Sequence, residues 1–263
     1  MSWISYEVRF LLPQIPQTLS MRSSQIQSEI QRLLEANQPR TFPFFEALKG
    51  ADTRVVLSED FLDAFYLRYQ AAMHATRVMV YQLPHLDEIS LRVKKCRVIA
   101  DDDLNPHGDT HHAQLRDTWS ILLGRPPRAT DELFGAVHEL PQHLDERTSR
   151  FVLFVANEYP KSLGPWVVIE GLADDWINSL CCSLRPHYPM IDATRYFVHN
   201  LASGVEKEHA QAASELFLEV AARKPELTEE GLAAATRMTK VLREFWAGCD
   251  ELLDTCLASV RQA

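Results

Sequence analysis

Glycine is scarce, at 9 of 263 residues, and no regular strand–turn rhythm runs along the chain, which argues against an all-β fold. No glycine-rich phosphate loop or dinucleotide fingerprint is present, so the common nucleotide-binding classes fall away. No stretch approaches the roughly 20 apolar residues of a membrane span. The N-terminus, Met1 to Pro13, lacks a basic region followed by a long apolar core, so a cytoplasmic protein is expected. The five cysteines, Cys96, Cys181, Cys182, Cys249 and Cys256, are odd in number and form no CxxC pair. They read as small apolar core residues in a reducing compartment, not as a disulfide framework or a zinc knuckle. Positive charge is also in short supply, with 27 Lys and Arg against 36 Asp and Glu and a net charge of -9. A phosphate backbone needs a concentrated basic face, so no nucleic-acid partner is expected. The one basic cluster, Arg92 to Arg97, is interrupted by Val93 and Cys96 and reads as a solvated helix face.

What is present is the balance of a globular chain, 46% hydrophobic and 24% charged. Helical periodicity dominates. Helices are expected over Ser20 to Asn37, Ser58 to about Gln82, Asp87 to Ile99, His111 to Leu123, Asp131 to Leu140, Asp145 to Asn157, Trp166 to Leu184, Asp192 to about Arg223, and from Thr228 to about Val260. Asp101 to Gly108 reads as an acidic connection, and Phe42, Phe44 and Phe45 as a packed connection between Pro39 and the next helix. The expected fold class is therefore all-α, a bundle of about seven to eight helices. Residues 1–57 are expected to form an arm and accessory helix packed on a bundle of residues 58–263, one domain overall.

Three places stand out for their histidines and carboxylates, two of them joining both. Asp101, Asp102 and Asp103 precede His111 and His112, so an oxygen and a nitrogen donor can arrive at one point from successive helices; iron, manganese and zinc accept that mixture. A solvated acidic turn is the plainer reading of the same residues. Glu170 sits among Val167, Val168, Ile169 and Leu172, where a carboxylate is costly to bury unless it is paired or bound to metal. Asp174 follows one turn later. Glu206 and His209, three apart, share one helical face, and Glu-x-x-His is a recurring ligand device of metal-binding bundles. His199 lies seven residues before Glu206, two turns back on nearly the same face.

The series of an acid, a histidine followed by x-x-Leu (His112 to Leu115), a Glu on an apolar helix, an aromatic–x–x–His (Tyr196 to His199) and an acid–x–x–His–Ala (Glu206 to Ala210) resembles the haem-oxygenase-like diiron oxidase and oxygenase superfamily. Thiaminase II and the pyrroloquinoline quinone biosynthesis protein C share that fold. The resemblance spans roughly Phe61 to Trp246 through short, degenerate motifs. It implies a haem-oxygenase-like bundle in which Asp102 or Asp103, His112, Glu170, His199, Glu206 and His209 bind one or two Fe(II) ions, with His111 replacing His112 if the register shifts by one. O2 would be the co-substrate and a small molecule, such as an amino-acid or amine derivative, the substrate; bundles of this class often form homodimers. The chain departs from the family in three places. His199 is seven rather than four residues before the acid, so either Ser203 and Gly204 mark a bulge or His199 is not a ligand. An Asp stands for the usual Glu near position 102. The helix from Phe61 to Gln82 lacks the family's glutamate, with Gln70 or His74 in that region. Two other readings stay open: a metal-free enzyme of the same fold, using histidines as acids and bases, and a non-enzymatic helical binding or effector protein.

Overall fold

The computed structural model describes residues 17–102, 110–128 and 144–262, with the side chains of residues 17–22, His74, His85 and Gln262 outside that description. Asp103 and the helix expected over Asp131 to Leu140 therefore lie outside the described residues. The described residues form an all-α fold without a strand: α1 (Gln17–Glu35), α2 (Pro43–Gly50), α3 (Thr53–Val56), α4 (Glu59–Thr76), α5 (Ile89–Asp102), α6 (His111–Leu123), α7 (Glu146–Glu158), α8 (Gly164–Leu184), α9 (Arg195–Phe197), α10 (Val205–Arg223) and α11 (Thr228–Gln262). The count is somewhat higher than the seven to eight expected, because short turns of helix fill connections that carried no periodicity of their own.

Helix α8 is the axis of the structure. It buries most of its residues from Gly164 to Leu184, leaving a stripe through Asp175, Asn178 and Cys182 toward solvent, and α10, α11 and α2 pack against it. Its N-terminus touches α11 so closely that a Cβ on Gly164 would lie 1.9 Å from the Gly231 carbonyl oxygen. Pro43 opens α2, and the segment expected to be a packed connection is this helix, whose Phe44 and Phe45 enter the core. There Phe44 stacks on Phe65 and Trp246, and Phe65 in turn stacks on Trp119 and Tyr69. Ser58 accepts the Phe61 N–H and caps α4. That helix stops at Thr76, and the chain continues as a 3₁₀ helix from Arg77 to His85 containing Pro84, where an α-helix to Gln82 was expected.

Four further expectations are corrected. Asp101 and Asp102 belong to the last turn of α5 and not to a connection. Within the basic cluster, Lys95 is completely buried, because it falls on the stripe of Leu91, Val98 and Ile99. Only Cys181 and Cys249 are buried core cysteines; Cys96 and Cys182 are exposed and Cys256 is half-buried. The long helix expected from Asp192 is broken into a 3₁₀ turn at Ile191–Ala193, the short α9, a π-helical turn at Val198–Ala202, and α10. Ser203 and Gly204 separate the π turn from α10, with Gly204 at φ +77°, a left-handed conformation that favours glycine.

Candidate metal centre

Four helices aim polar side chains at one buried point. The inner face of α5 carries Leu91, Lys95, Val98 and Ile99, and the same periodicity turns Asp102 inward at the helix end. Helix α6 begins there: Thr110 caps it by accepting the Ala113 N–H, which sets His111 and His112 in its first turn. Helix α8 supplies Glu170 and α10 supplies Glu206 and His209, all buried.

Asp102, Glu170 and His209 each offer a donor atom, and these atoms lie within 4.8 Å of one another. His209 Nδ1 is 3.4 Å from Asp102 Oδ1 and 3.8 Å from Glu170 Oε2, yet it makes no hydrogen bond. Donors about 2.1 Å from a common ion, at tetrahedral to octahedral angles, lie about 3.0–3.4 Å apart, so His209 Nδ1 and Asp102 Oδ1 have the separation of two ligands on one cation, with Glu170 Oε2 further out at 3.8 Å from His209 Nδ1. The other ring nitrogen, Nε2, faces Asp101 Oδ2 at 3.4 Å, the carboxylate partner that fixes the ring of a ligating histidine. On the other side Glu170 Oε1 accepts the Trp166 indole N–H at 2.6 Å.

A second group adjoins the first. His111 Nδ1 lies 3.3 Å from Asp102 Oδ1, and its Nε2 lies 3.9 Å from Glu206 Oε1. The His199 ring stands 5.4 Å from that of His111, and His199 Nε2 has no hydrogen-bond partner. His199 reaches this point because of the π turn, which widens the backbone, and the restart of the helix at Val205. Asn200, buried inside the turn, donates to the Tyr196 carbonyl at 2.7 Å, and Ser203 donates to the His199 carbonyl. Of the two adjacent histidines it is His111 whose ring meets Asp102 and Glu206. His112, about 100° further round the helix, is buried and lines the neighbouring cavity.

The electrostatics call for positive charge. Burial pushes the Glu206 carboxyl well above its ordinary range, and the negative charges of Glu170 and half-buried Asp174 push it further. Its Oε1 has no hydrogen-bond partner. Among the described residues the one buried amine nearby is Lys95, whose Nζ rests 3.0 Å from the centre of the Trp166 ring with no hydrogen bond. Burial drives its pKa well below the usual lysine value, with Glu170 and Asp102 opposing. Arg195 and Lys207, which neighbour the ligands in sequence, point elsewhere: Arg195 pairs with Asp117 at 2.6 Å, and Lys207 is exposed. A divalent cation satisfies such a nest of carboxylates and unbonded imidazole nitrogens, and a donor set of oxygen and nitrogen without thiolate suits iron or manganese.

The expected site residues thus separate as follows. Asp102, Glu170, Glu206, His209 and His111 converge; His199 joins them at His111; Asp174 contributes its charge from one turn below Glu170; His112 lines the cavity. Asp103 and the His74 side chain lie outside the described residues, and Gln70 is buried in α4. Trp166 and Lys95 were not among the expected ligands, and Asp101 was expected only as one acid of the run before His111. Trp166 lies four before Glu170 on one helix, the spacing at which side chains meet.

The cluster opens on a cavity, part of it exposed to solvent, whose polar end carries Asp102, His111, His112, Glu170 and Glu206. Its opposite walls are aromatic and aliphatic, a form usual for small-molecule sites. Among the described residues no helix is long and apolar enough to cross a membrane. No family model matches the chain, and no curated protein matches it.

Proposed function

We propose that this chain binds divalent iron in its bundle and uses it for O2-dependent oxidation of a small molecule. One observation carries the reading: Asp102, Glu170 and His209 hold their donor atoms within 4.8 Å of one another, beside a cavity lined by aromatic and aliphatic side chains. One ion would be held by those three residues. A second would lie beside His111, His199 and Glu206, where Asp174 adds negative charge, and the two ions would balance the four carboxylates Asp102, Glu170, Asp174 and Glu206. The resemblance to haem-oxygenase-like diiron oxidases, drawn from motifs alone, points the same way.

Bound ferrous iron would supply electrons for reduction of O2 next to the substrate. The protein's own groups do the rest. Asp101 and Trp166 hold His209 and Glu170 in ligating orientation. The aromatic walls exclude water from the reacting end of the cavity. Tyr69 and Tyr196, whose pKa values burial raises above the ordinary phenol range, remain protonated at neutral pH and supply neutral hydrogen-bond donors and not charges.

The test is metal counting followed by O2 uptake. Protein prepared without oxygen and loaded with Fe(II) is expected to hold about two irons per chain and to consume O2 rapidly. Glu170→Gln and His209→Ala should each lose iron while keeping helical content. Retention of full iron in both variants, or failure of the wild type to bind any, would refute the proposal.

A further inference from the structure

The cavity beside the cluster carries information about what it receives. Among the described residues that line it there is no lysine or arginine. A carboxylate-bearing substrate would find no counter-charge in those walls. Nor would the metal centre provide one, since two divalent ions leave no net positive charge against Asp102, Glu170, Asp174 and Glu206. An ionised group brought in unpaired would carry the full cost of desolvation.

The walls do supply one hydrogen-bond donor. Trp176 Nε1–H donates to the Tyr69 hydroxyl at 3.1 Å, and the Tyr69 and Tyr196 hydroxyls are 2.8 Å apart. This chain holds three protons, one on the indole and one on each phenol, and its two contacts use two of them. Whichever phenol donates to the other, one hydroxyl proton remains over. Both hydroxyls belong to residues that line the cavity and are otherwise buried. A leftover donor in an apolar wall is a place for an acceptor, since an unmet donor is costly. Around it Phe151, Ile169, Ala173, Ile177, Leu242 and Phe245 present only hydrocarbon.

We propose that the cavity selects an uncharged, largely apolar small molecule bearing a hydrogen-bond acceptor such as an amide or ketone carbonyl, which docks on the Tyr69–Tyr196 hydroxyl pair with its hydrocarbon body against the walls. This deepens the oxidase reading and rests on it for the reaction, though not for the binding. The Tyr69–Tyr196 pair sets which end of the molecule stays at the wall and therefore which carbon faces the cluster.

Three probes with one skeleton and different charge test it: 3-phenylpropionamide, 3-phenylpropionate and 3-phenylpropylamine. Binding to the full chain is measured by calorimetry, metal-free and again after loading with redox-inert Zn(II), with metal content counted on the same samples. The amide is expected to bind at least about tenfold tighter than the carboxylate in both states, and than the amine once Zn(II) balances the carboxylates of the cluster. In Tyr69→Phe/Tyr196→Phe the amide should lose roughly three- to tenfold, while n-propylbenzene, which has no acceptor, binds as before. Equal or tighter binding of the carboxylate, or of the amine to the Zn(II)-loaded protein, an amide affinity unchanged in the double variant, or no binding of the amide at all would each overturn the proposal. Amide preference in a protein that takes up no metal would instead sink the oxidase reading and leave this inference standing.

Discussion

Replacing Trp166 by Phe removes one atom group that matters, the indole N–H held 2.6 Å from Glu170 Oε1, and keeps a ring for Lys95 to rest on. A hydrogen bond to a buried charged acceptor contributes about 1.5–3 kcal/mol. If that contribution serves to hold Glu170 with its other oxygen toward His209, its loss appears in metal affinity. The range corresponds to roughly 10- to 100-fold weaker binding, the size usually found when a partner of a metal ligand is removed. The assay is competition between metal-free protein and a chelator of known affinity for Co(II), whose visible bands also report coordination. Circular dichroism on the same samples separates a lost ligand from a lost fold. Affinity within about twofold of wild type, in a folded variant, would refute the reasoning: either Glu170 does not ligate, or the indole does not orient it.

Glu206 gives a pH prediction in the metal-free protein. Its folded pKa is raised by burial and by the charges of Glu170 and Asp174 above an unfolded value near 4.5. The associated stability is therefore fully present below that unfolded value and is lost as pH rises through the folded one. Thermal melts between about pH 5 and about pH 8 should fall in wild type and fall less in Glu206→Gln; parallel curves would count against the assignment. Lys95 runs the opposite way, with a folded pKa depressed by burial below an unfolded value near 10.5. Stability is present above that unfolded value and is lost as pH falls toward the folded one. Lys95→Met should therefore stabilise the metal-free protein at neutral pH, by about 1.4 kcal/mol for each unit of depression, and a lowered melting temperature would contradict this. Gly164→Ala should cost about 3 kcal/mol or more, since its Cβ would lie 1.9 Å from a backbone oxygen of Gly231; a near-neutral denaturation curve would mean that α8 and α11 separate easily.

Much of the helical layout was legible because α8 and α10 keep their apolar or ligand-bearing faces in strict 3.6-residue register. Glu170, Glu206 and His209 were visible for the same reason: a carboxylate among Val167, Ile169 and Leu172, and an acid three before a histidine, are anomalies of pattern. What failed to read was whatever departs from pattern. Lys95 was assigned to solvent by its charge although its position, four after Leu91 and three before Val98, places it on the buried stripe. His111 and His112 differ by one residue, and only the angle at which α6 leaves Thr110 decides which one meets Asp102. The seven-residue gap from His199 to Glu206 carried an ambiguity that spacing could not resolve. The π turn and the left-handed Gly204 depend on Asn200 and Ser203 capturing backbone carbonyls, which no hydrophobic period reports.

The cost of the cluster has a consequence for how the protein holds together. Buried Glu170, Glu206 and His209, with Lys95 beneath them, are groups whose desolvation opposes folding, and they occupy the seam where α5, α6, α8 and α10 meet. A ligand that binds the folded chain alone lowers its free energy in proportion to the logarithm of its concentration over the dissociation constant. An ion in this seam would turn repelling carboxylates into shared ligands, so that metal binding and closure of the four helices become one event. The bundle's other half, the aromatic stack of Phe44, Phe65, Trp119 and Trp246, carries no such charge and has no need of the ion. Hydrogen exchange should therefore respond unevenly to metal: protection should rise in the last turn of α5, the first turns of α6 and the Glu206–His209 turn of α10, while the amides of α2 and the core of α4 stay as they were. A uniform rise across all helices would mean that the ion stabilises only the global fold, and that the carboxylate seam is no weaker than the aromatic half.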